Sequence, residues 1–298
     1  MTTNTMLKGL LALALALALA GCALTLPWDK ALPGLSEEET EELCARRPRL
    51  WMAYYPYEKR GDRPNGVRPL PDYTGWTEQR MRNDLARMHG CGVYGVAVAL
   101  TPAQLAASDV MGRLERMAEL TDAAGLKFTV LLTQPVGAAP LTLDGGNLAS
   151  YLDGTALARS EALVRYAVAD DPSRECVPVF LFDSAVIRIE PAPGLHLLPL
   201  STPDAPEGGI PLVRVGDSGG AQEATDGAQR AMWPMPRRRG RELLRQLHTA
   251  VANGAHAVLL HSWNRYGDGS FAEPNTLDGP TVTDLLRRVL RPELVPAD

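Results

Sequence analysis

Cysteine and aromatic residues are scarce in this chain of 298 residues. It contains 4 cysteines, and phenylalanine, tryptophan and tyrosine together make up 6% of its residues. Cys44, Cys91 and Cys176 have spacings that match no metal-binding motif, which argues against a zinc module. In an exported protein two of these cysteines could form a disulfide, and burial as small hydrophobic side chains is the alternative.

Two catalytic signatures are also missing. The sequence has no His-Glu-x-x-His pair and no glycine-rich phosphate fingerprint after its first predicted strand. Zinc proteases and dinucleotide-binding enzymes are therefore without support. His196, His248, His256 and His261 share no metal-ligand spacing, so we expect neither a metal ion nor an organic cofactor.

The charge balance gives no sign of a nucleic-acid partner. The formal net charge is -5 at pH 7, and the one dense basic run, at residues 237–241, is expected to be a solvated helix start. Hydrophobic residues make up 45% of the chain, which is enough for a sizeable core. The length suits a single α/β barrel, which typically takes about 250 residues.

An export signal is expected at residues 1–21. Lys8 supplies a short positive region, and the Leu/Ala run that follows it is too short to span a bilayer. The run ends in Leu-Ala-Gly-Cys at residues 19–22, which resembles the lipobox of bacterial lipoproteins, and an ordinary signal peptide is the alternative. The resemblance implies a mature chain that begins at a lipidated Cys22 and is anchored in the cell envelope. Because Ala23 follows the cysteine, the resemblance favours the outer membrane as the site of the anchor if the cell is Gram-negative.

Alternating strand and helix patterns indicate an α/β fold. Residues 22–47 are expected to form a tether and a short acidic helix that begins at a capping box. Over residues 48–298, near-continuous apolar strands alternate with helices, which predicts parallel βα units and a (β/α)8 TIM-like barrel. Several strands between residues 177 and 215 have no helix between them, so the second half should be irregular, with some helices missing or short. Helices are predicted near residues 77–89, 110–124, 157–168, 241–252 and 281–290.

The most informative segment is residues 256–274. A short apolar strand is followed by Ser262, Trp263 and Asn264, then by a glycine-flanked Asp268, and a Glu-Pro pair closes the segment. In a parallel α/β protein, the side chains just beyond the C-terminal ends of the strands build the site. The sequence therefore predicts a functional site in this loop.

Carboxylates follow several of the predicted strands, at Asp183, Asp217, Asp268 and Glu273. If the strands close into a barrel, these side chains surround one mouth, and glycoside hydrolysis requires two carboxylates across a groove. Nearby tyrosine and tryptophan rings offer flat faces to sugar rings. Turn formation by the aspartates and core packing by the rings are the alternative. His261 also has two open roles, as a sugar contact or as a hydrogen-bonded histidine of the core or rim.

Three segments resemble one family of sugar-cleaving barrels. Residues 262–274 are similar to the closing motif of the glycoside hydrolase family 99-like and family 71-like barrels, which include endo-α-mannosidases and WbsX-type proteins. The Tyr-Tyr-Pro at residues 54–56 is similar to their opening strand, and residues 179–183 are similar to a strand that ends near Tyr-Asp-Ser. The resemblance implies a (β/α)8 barrel over residues 48–295 and a carbohydrate ligand or substrate.

The chain departs from this family at a catalytic position. The family places two catalytic glutamates in its closing motif, and the residues that match them here are Arg265 and Asp268. Arginine cannot accept a proton at working pH, so Asp268 would need a partner such as Asp183 or Asp217 for catalysis. Alternatively, Arg265 pairs with Asp268 or Glu273, and the site binds an acidic sugar without cleaving it.

Two functions are open at this point. The first, which the resemblance favours, is a lipid-anchored glycoside hydrolase-like enzyme that acts on cell-envelope or extracellular polysaccharide, with Asp268, Asp183 and Asp217 as its catalytic candidates. The second is an inactive glycosidase-like lipoprotein that binds glycan or serves as an envelope scaffold. In both cases the expected sugar contacts are Tyr54, Tyr55, Trp263, Asn264, Arg265, Tyr266 and Glu273.

Overall fold

The structure is a computed structural model that describes separate stretches of the chain. These are residues 31–56, 67–72, 75–105, 108–134, 139–154, 160–168, 171–182, 187–216, 238–266 and 270–294. The predicted signal, Cys22 and the three aspartates proposed for catalysis (Asp183, Asp217 and Asp268) lie outside the described residues. Within the described stretches, no helix is both long enough and apolar enough to cross a membrane.

The described stretches contain ten strands and seven α-helices. The strands are β1 (Arg49–Tyr54), β2 (Gly95–Leu100), β3 (Lys127–Leu132), β4 (Leu141–Leu143), β5 (Tyr166–Val168), β6 (Asp171–Leu181), β7 (Ile187–Ile189), β8 (Leu195–Ser201), β9 (Ile210–Arg214) and β10 (Ala257–His261). The helices are α1 (Glu37–Arg46), α2 (Glu78–Gly90), α3 (Pro102–Leu105), α4 (Ser108–Ala123), α5 (Gly145–Gly154), α6 (Arg241–Ala252) and α7 (Thr281–Leu290). Short 3-10 turns are found at Arg238–Gly240 and Pro292–Leu294.

Seven of the strands close into a parallel barrel. Around the ring the order is β1, β2, β3, β6, β8, β9 and β10, and β10 pairs with β1. Every neighbouring pair in the ring is parallel. Near the start of β3, Phe128 forms a single parallel bridge with Leu163 on the side of β6, where an eighth strand would lie. The predicted TIM-like α/β barrel is confirmed, with seven full strands in its wall.

The second half of the barrel has few helices, as predicted. The described residues 187–216 contain β7, β8 and β9 and no helix, so β8 is only partly covered. The helix predicted over residues 157–168 is wrong in its described part, which forms a turn, the bridge to Phe128 and strand β5. Pairing with β3 and β6 satisfies the backbone groups of this segment in place of helical hydrogen bonds.

Two helices begin at the residues where the sequence predicts a helix start. Ser36 Oγ accepts a hydrogen bond from the Glu39 N–H at 3.2 Å, and the Glu39 carboxylate accepts one from the Ser36 N–H at 2.6 Å. This is the reciprocal capping box expected at the start of α1. Thr77 caps α2, because its Oγ1 accepts from the Arg80 N–H at 3.1 Å.

The cysteines Cys44, Cys91 and Cys176 are free and buried. No disulfide joins these three cysteines, and the alternative holds, in which the thiols pack as small hydrophobic groups. Burial raises the pKa of the Cys44 thiol to about 11 and that of the Cys91 thiol to about 11. Both thiols stay protonated at neutral pH, so neither is a nucleophile.

The barrel wall separates two cores. Successive side chains of a strand point to opposite sides, so β1 contributes to both cores. The residues of β1 that face the surrounding helices are Leu50, Met52 and Tyr54. The residues at the end of β1 that face the barrel interior are Trp51, Ala53 and Tyr55. This alternation decides which of the two neighbouring tyrosines can reach the inside of the barrel.

Candidate functional site

The C-terminal end of the barrel brings together aromatic and polar side chains. Tyr55 follows β1, Phe182 follows β6, and His261 is the last residue of β10. The ring centroid of His261 lies 4.7 Å from that of Phe182 and 5.5 Å from that of Tyr55. Three strand ends thus meet at the C-terminal end of the barrel, where parallel barrels build their active sites.

His261 is the centre of a buried hydrogen-bond chain. Its Nε2 lies 2.7 Å from Tyr55 Oη, and its Nδ1 lies 3.0 Å from Ser270 Oγ. All three residues are buried. In a neutral imidazole one ring nitrogen donates and the other accepts, so this chain orients both the imidazole and the Tyr55 phenol. Of the two roles expected for His261, the structure shows the buried, hydrogen-bonded one.

Asn264 fastens the loop that follows β10 to β1. Its Oδ1 accepts from the Tyr55 N–H at 2.8 Å, and its Nδ2 donates to the Tyr55 carbonyl at 2.8 Å. The N–H of Trp263 donates to the Ala53 carbonyl at 2.8 Å. The Asn264 side chain is completely buried and bonds main-chain groups through both of its amide atoms. Asn264 therefore positions Tyr55, which corrects the prediction that it contacts sugar.

Two guanidinium groups are directed to this end of the barrel. Arg265 Cζ lies 4.8 Å from the centre of the Tyr55 ring, which is a cation–π distance. Arg214 ends β9 and pairs in register with His261. Because Leu212 packs in the interior core, strand alternation directs the Arg214 side chain inward as well. The described residues therefore place two guanidinium groups at the C-terminal end of the barrel.

Tyr54 does not face the interior of the barrel. It is completely buried among the outward-facing residues of β1, and its Oη donates to Asp84 Oδ2 at 3.0 Å. Burial raises the pKa of the Tyr54 phenol and also that of the Asp84 carboxyl. The prediction that Tyr54 contacts sugar is corrected, because alternation along β1 gives the interior position to Tyr55.

The rings of Trp263 and Tyr266 are also completely buried. Trp263 packs in the outer core with the helices, and Tyr266 stacks on Phe271 at a centroid distance of 4.2 Å and an interplanar angle of 11°. Neither ring presents a free face to a sugar in this structure. Their predicted contact with sugar is corrected, because both rings are used to hold the loop in place.

Glu273 belongs to a separate polar cavity. It is 1% exposed, and its N–H donates to the Trp263 carbonyl at 2.9 Å. Together with Asp84, Arg80 and Arg87 it lines a cavity of about 200 Å³ beside α2. Arg80 Nε lies 3.4 Å from Asp84 Oδ2 in this network. The structure thus places Glu273 in this cavity and apart from Tyr55 and His261, which corrects its predicted sugar contact.

Of the predicted sugar contacts, the structure brings Tyr55 and Arg265 together at the C-terminal end of the barrel. The catalytic candidates Asp183, Asp217 and Asp268 lie outside the described residues. Within the described part of the chain, no group of three or more histidine, cysteine, aspartate or glutamate residues could hold a metal ion.

Two polar residues of this end were missed from the sequence. Arg214 could have been found, because it lies two residues after Leu212 and four after Ile210 on an alternating strand. Ser270 carries no such signal, since its contact with His261 depends on the path of the loop between them.

The fold and this site define a class, the closed parallel α/β barrels with a polar C-terminal end. A particular member of that class can be compared directly. The glycoside hydrolase family 99 endo-α-mannosidase from Bacteroides thetaiotaomicron, solved in complex with BIS-TRIS-propane, has a TM-score of 0.59 and 14% sequence identity, and the match covers 82% of this chain and 96% of that chain. A second structure of that endo-α-mannosidase has a TM-score of 0.55 at 12% identity, with the same coverage of 82% and 96%.

A further solved structure, of a glycoside hydrolase-like protein, has a TM-score of 0.54 at 11% identity and covers 91% of this chain and 99% of that chain. No protein-family model and no curated protein sequence matches this chain. The structural matches confirm the predicted resemblance at the level of the fold, which is a barrel like that of glycoside hydrolase family 99.

Proposed function

We propose that this protein is a lipid-anchored, glycosidase-like protein of the bacterial cell envelope that acts on an acidic polysaccharide. The observation that carries the proposal is the placement of two guanidinium groups at the C-terminal end of the barrel, where Arg265 lies over the Tyr55 ring and Arg214 pairs in register with His261. The fold supports a carbohydrate as the ligand. The lipobox-like sequence that ends at Cys22 supports the membrane anchor, in the outer membrane if the cell is Gram-negative.

The guanidinium groups give the reason for an acidic sugar. A guanidinium binds a carboxylate, sulfate or phosphate through paired hydrogen bonds. Arg265 occupies the sequence position that matches the first catalytic glutamate of the resembling family, so a negative charge is replaced there by a positive one. Such a reversal changes the preferred ligand group from a cationic or neutral one to an anionic one.

The surrounding contacts prepare Arg265 for this role. Its guanidinium stacks on the Tyr55 ring, and Tyr55 is itself held by His261 and Asn264. A side chain that is already ordered loses less conformational entropy when it binds. The Tyr55–Arg265 pair is therefore a preorganised contact for an acidic group.

Cleavage is the second candidate activity, and Asp268 is the residue that favours it. Asp268 matches the second catalytic carboxylate of the resembling family. As a general acid it would protonate the leaving oxygen, while Asp183 or Asp217 would attack the sugar or activate water. In the alternative without cleavage, Arg265 binds the acidic group and no second carboxylate completes the pair.

The test compares binding and turnover on the same polymers. Polygalacturonate and alginate serve as acidic polysaccharides, and a neutral α-mannan represents the sugar in the name of the matched endo-α-mannosidase. We expect the acidic polymers to bind at least about tenfold more tightly than the mannan, a difference of about 1.4 kcal/mol. Equal binding, or a preference for the mannan, would contradict the proposal.

Release of reducing ends from the bound polymer decides between the two activities. If wild type cleaves and Asp268→Asn binds without cleaving, the protein is an enzyme that uses Asp268. Binding by wild type without any reducing ends assigns the protein to glycan binding.

A further inference from the structure

A second cavity opens at the other end of the barrel, where the strands begin. Its volume is about 410 Å³, within the range of about 300–1,000 Å³ that is typical of small-molecule sites. Its apolar wall includes Trp51, Tyr94, Phe180, Leu198, Ile210 and Ala257. We call this space the lower cavity.

The wall of the lower cavity is built around Trp51. A Cβ atom at Gly95 would come within 2.5 Å and 2.8 Å of atoms of the Trp51 ring, so the indole lies directly against β2. The Trp51 ring makes edge contacts with Phe180 at 5.4 Å and with Tyr94 at 5.3 Å. These three rings brace one another, while the small side chain of Ala257 leaves the space beside them open.

Packed side chains separate the lower cavity from the site at the C-terminal end. Ala53, Ala97 and Leu259 face the interior between the two ends and are completely buried. The residues that line the lower cavity are therefore distinct from the chain of Tyr55 and His261. The inference drawn from the lower cavity does not depend on the function proposed above.

The rim of the lower cavity is polar and mixed in charge. Arg49, Glu207, Asn253 and His256 line it and are exposed. The guanidinium of Arg49 lies 5.3 Å from the centre of the Tyr94 ring. One cation, one anion, an amide and an imidazole together offer both donors and acceptors, with no preference for a ligand of one charge.

We propose that the lower cavity binds a neutral ring compound that carries hydroxyl groups. The ring packs against the aromatic wall, and its hydroxyl groups bond the rim through Glu207, Asn253 and His256. A rigid ring loses little conformational entropy on binding, which suits a shallow apolar site. A sugar ring and an aromatic alcohol share this chemistry, so the test examines both sources.

The test titrates the full-length protein with cellobiose and, separately, with 4-hydroxybenzyl alcohol. Binding is measured by saturation-transfer NMR and by tryptophan fluorescence, to which Trp51 contributes together with the other four tryptophans of the chain. Ala257→Phe fills the cavity from a position whose side chain already lines it. We expect it to weaken binding of the active probe at least about tenfold. The matched control is Leu277→Phe, which adds a ring at a position that is 59% exposed and should leave binding unchanged.

Asn253→Ala provides a second variant in case Ala257→Phe does not fold. Asn253 is exposed at the rim, so its loss should weaken the probe several-fold while the circular dichroism spectrum stays that of wild type. The proposal is supported if one of the probes binds wild type and if both folded variants bind that probe more weakly. The probe that binds then shows whether the ligand is a sugar ring or an aromatic alcohol. Absence of binding by both probes at millimolar concentration, or binding that is unchanged in both variants, would overturn it.

Discussion

The two ends of this barrel are built in opposite ways from the same strands. At the C-terminal end, Tyr55 and His261 are joined by a hydrogen bond, and the Arg265 guanidinium lies over the Tyr55 ring. At the N-terminal end, Trp51 and Phe180 are joined by ring contacts and leave an apolar cavity. On β1 these two environments are only four residues apart.

The comparison shows that alternate residues of one strand, which all face the same side, can have different functions. Trp51, Ala53 and Tyr55 all face the interior, so their differences in size and polarity decide what each level of the barrel can do. The small Ala53 lets the middle pack tightly. The two large rings on either side of it, Trp51 and Tyr55, then lie at opposite ends of the barrel. The predictions that follow perturb one end at a time, from the largest expected effect to the smallest.

Asn264→Ala should have the largest effect, at the C-terminal end. It removes two hydrogen bonds to Tyr55 and leaves a buried N–H and a buried carbonyl without these partners. Each such loss costs about 1–3 kcal/mol, so we expect the free energy of unfolding to fall by about 3 kcal/mol. Urea denaturation measures the change. Asn147→Ala is the matched control, because Asn147 is exposed on helix α5, and this variant should stay within about 0.5 kcal/mol of wild type.

Gly95→Ala should disturb the N-terminal end by a smaller amount. The added methyl group would overlap the Trp51 ring and approach the Lys127 carbonyl at 2.9 Å, and that backbone atom cannot move aside easily. Overpacking of this kind costs about 1–3 kcal/mol. Gly112→Ala is the control, because its Cβ meets no atom within 4 Å in helix α4 and should stabilise the protein. Thermal unfolding that ranks the two variants in the other order would show that Trp51 is free to move.

Ser270→Ala should weaken the C-terminal end modestly. It removes the Oγ that lies 3.0 Å from His261 Nδ1 in a buried position, for an expected loss of about 1 kcal/mol. The matched control is Ser201→Ala. Ser201 Oγ has no hydrogen-bond partner among the described residues, so this change should be neutral. Equal unfolding midpoints for the two variants would mean that the Ser270–His261 contact contributes nothing to stability.

Glu78→Gln tests a surface that belongs to neither end. Hydrogen bonds from Arg116 and then from Arg82 lower the pKa of the Glu78 carboxyl from 4.5 to about 2. A lowered pKa in the folded state adds stability above the unfolded value that is lost as the pH falls through the folded value. Wild type should therefore lose stability between pH 4.5 and 2 more steeply than Glu78→Gln, and only slightly, because the group is exposed. Parallel stability curves for the two proteins would contradict this assignment.

Much of the fold was predictable from the sequence. The apolar runs of β1, β2, β3 and β10 are nearly continuous because both of their faces are buried, and such runs indicate parallel strands. The helical spacing of residues 157–168 misled the prediction, since the described residues 160–168 include a bridge to β3 and a strand that pairs with β6. The number of full strands could not be predicted either, because a single bridge at Leu163 takes the place of the eighth.

The loop that follows β10 could be singled out from the sequence, whereas the positions of its side chains could not. The Trp-Asn pair drew attention to this loop, but both side chains are buried, and Asn264 bonds the main chain of Tyr55. Tyr54 and Tyr55 look equivalent in sequence, and only the alternation around a closed barrel separates them. No sequence motif marks the lower cavity. It could not be predicted because it arises from the small size of the Ala257 side chain.

Binding of an acidic polysaccharide by wild type and by Arg265→Gln tests the central claim most directly. Glutamine removes the positive charge that lies over the Tyr55 ring. The hydrogen bonds of Asn264 and His261 to Tyr55 stay in place. We expect an unchanged unfolding midpoint, polygalacturonate binding that is weaker by at least about tenfold, and α-mannan binding that is unchanged. Equal affinity of wild type and Arg265→Gln for polygalacturonate would contradict the claim that this end of the barrel recognises an acidic sugar.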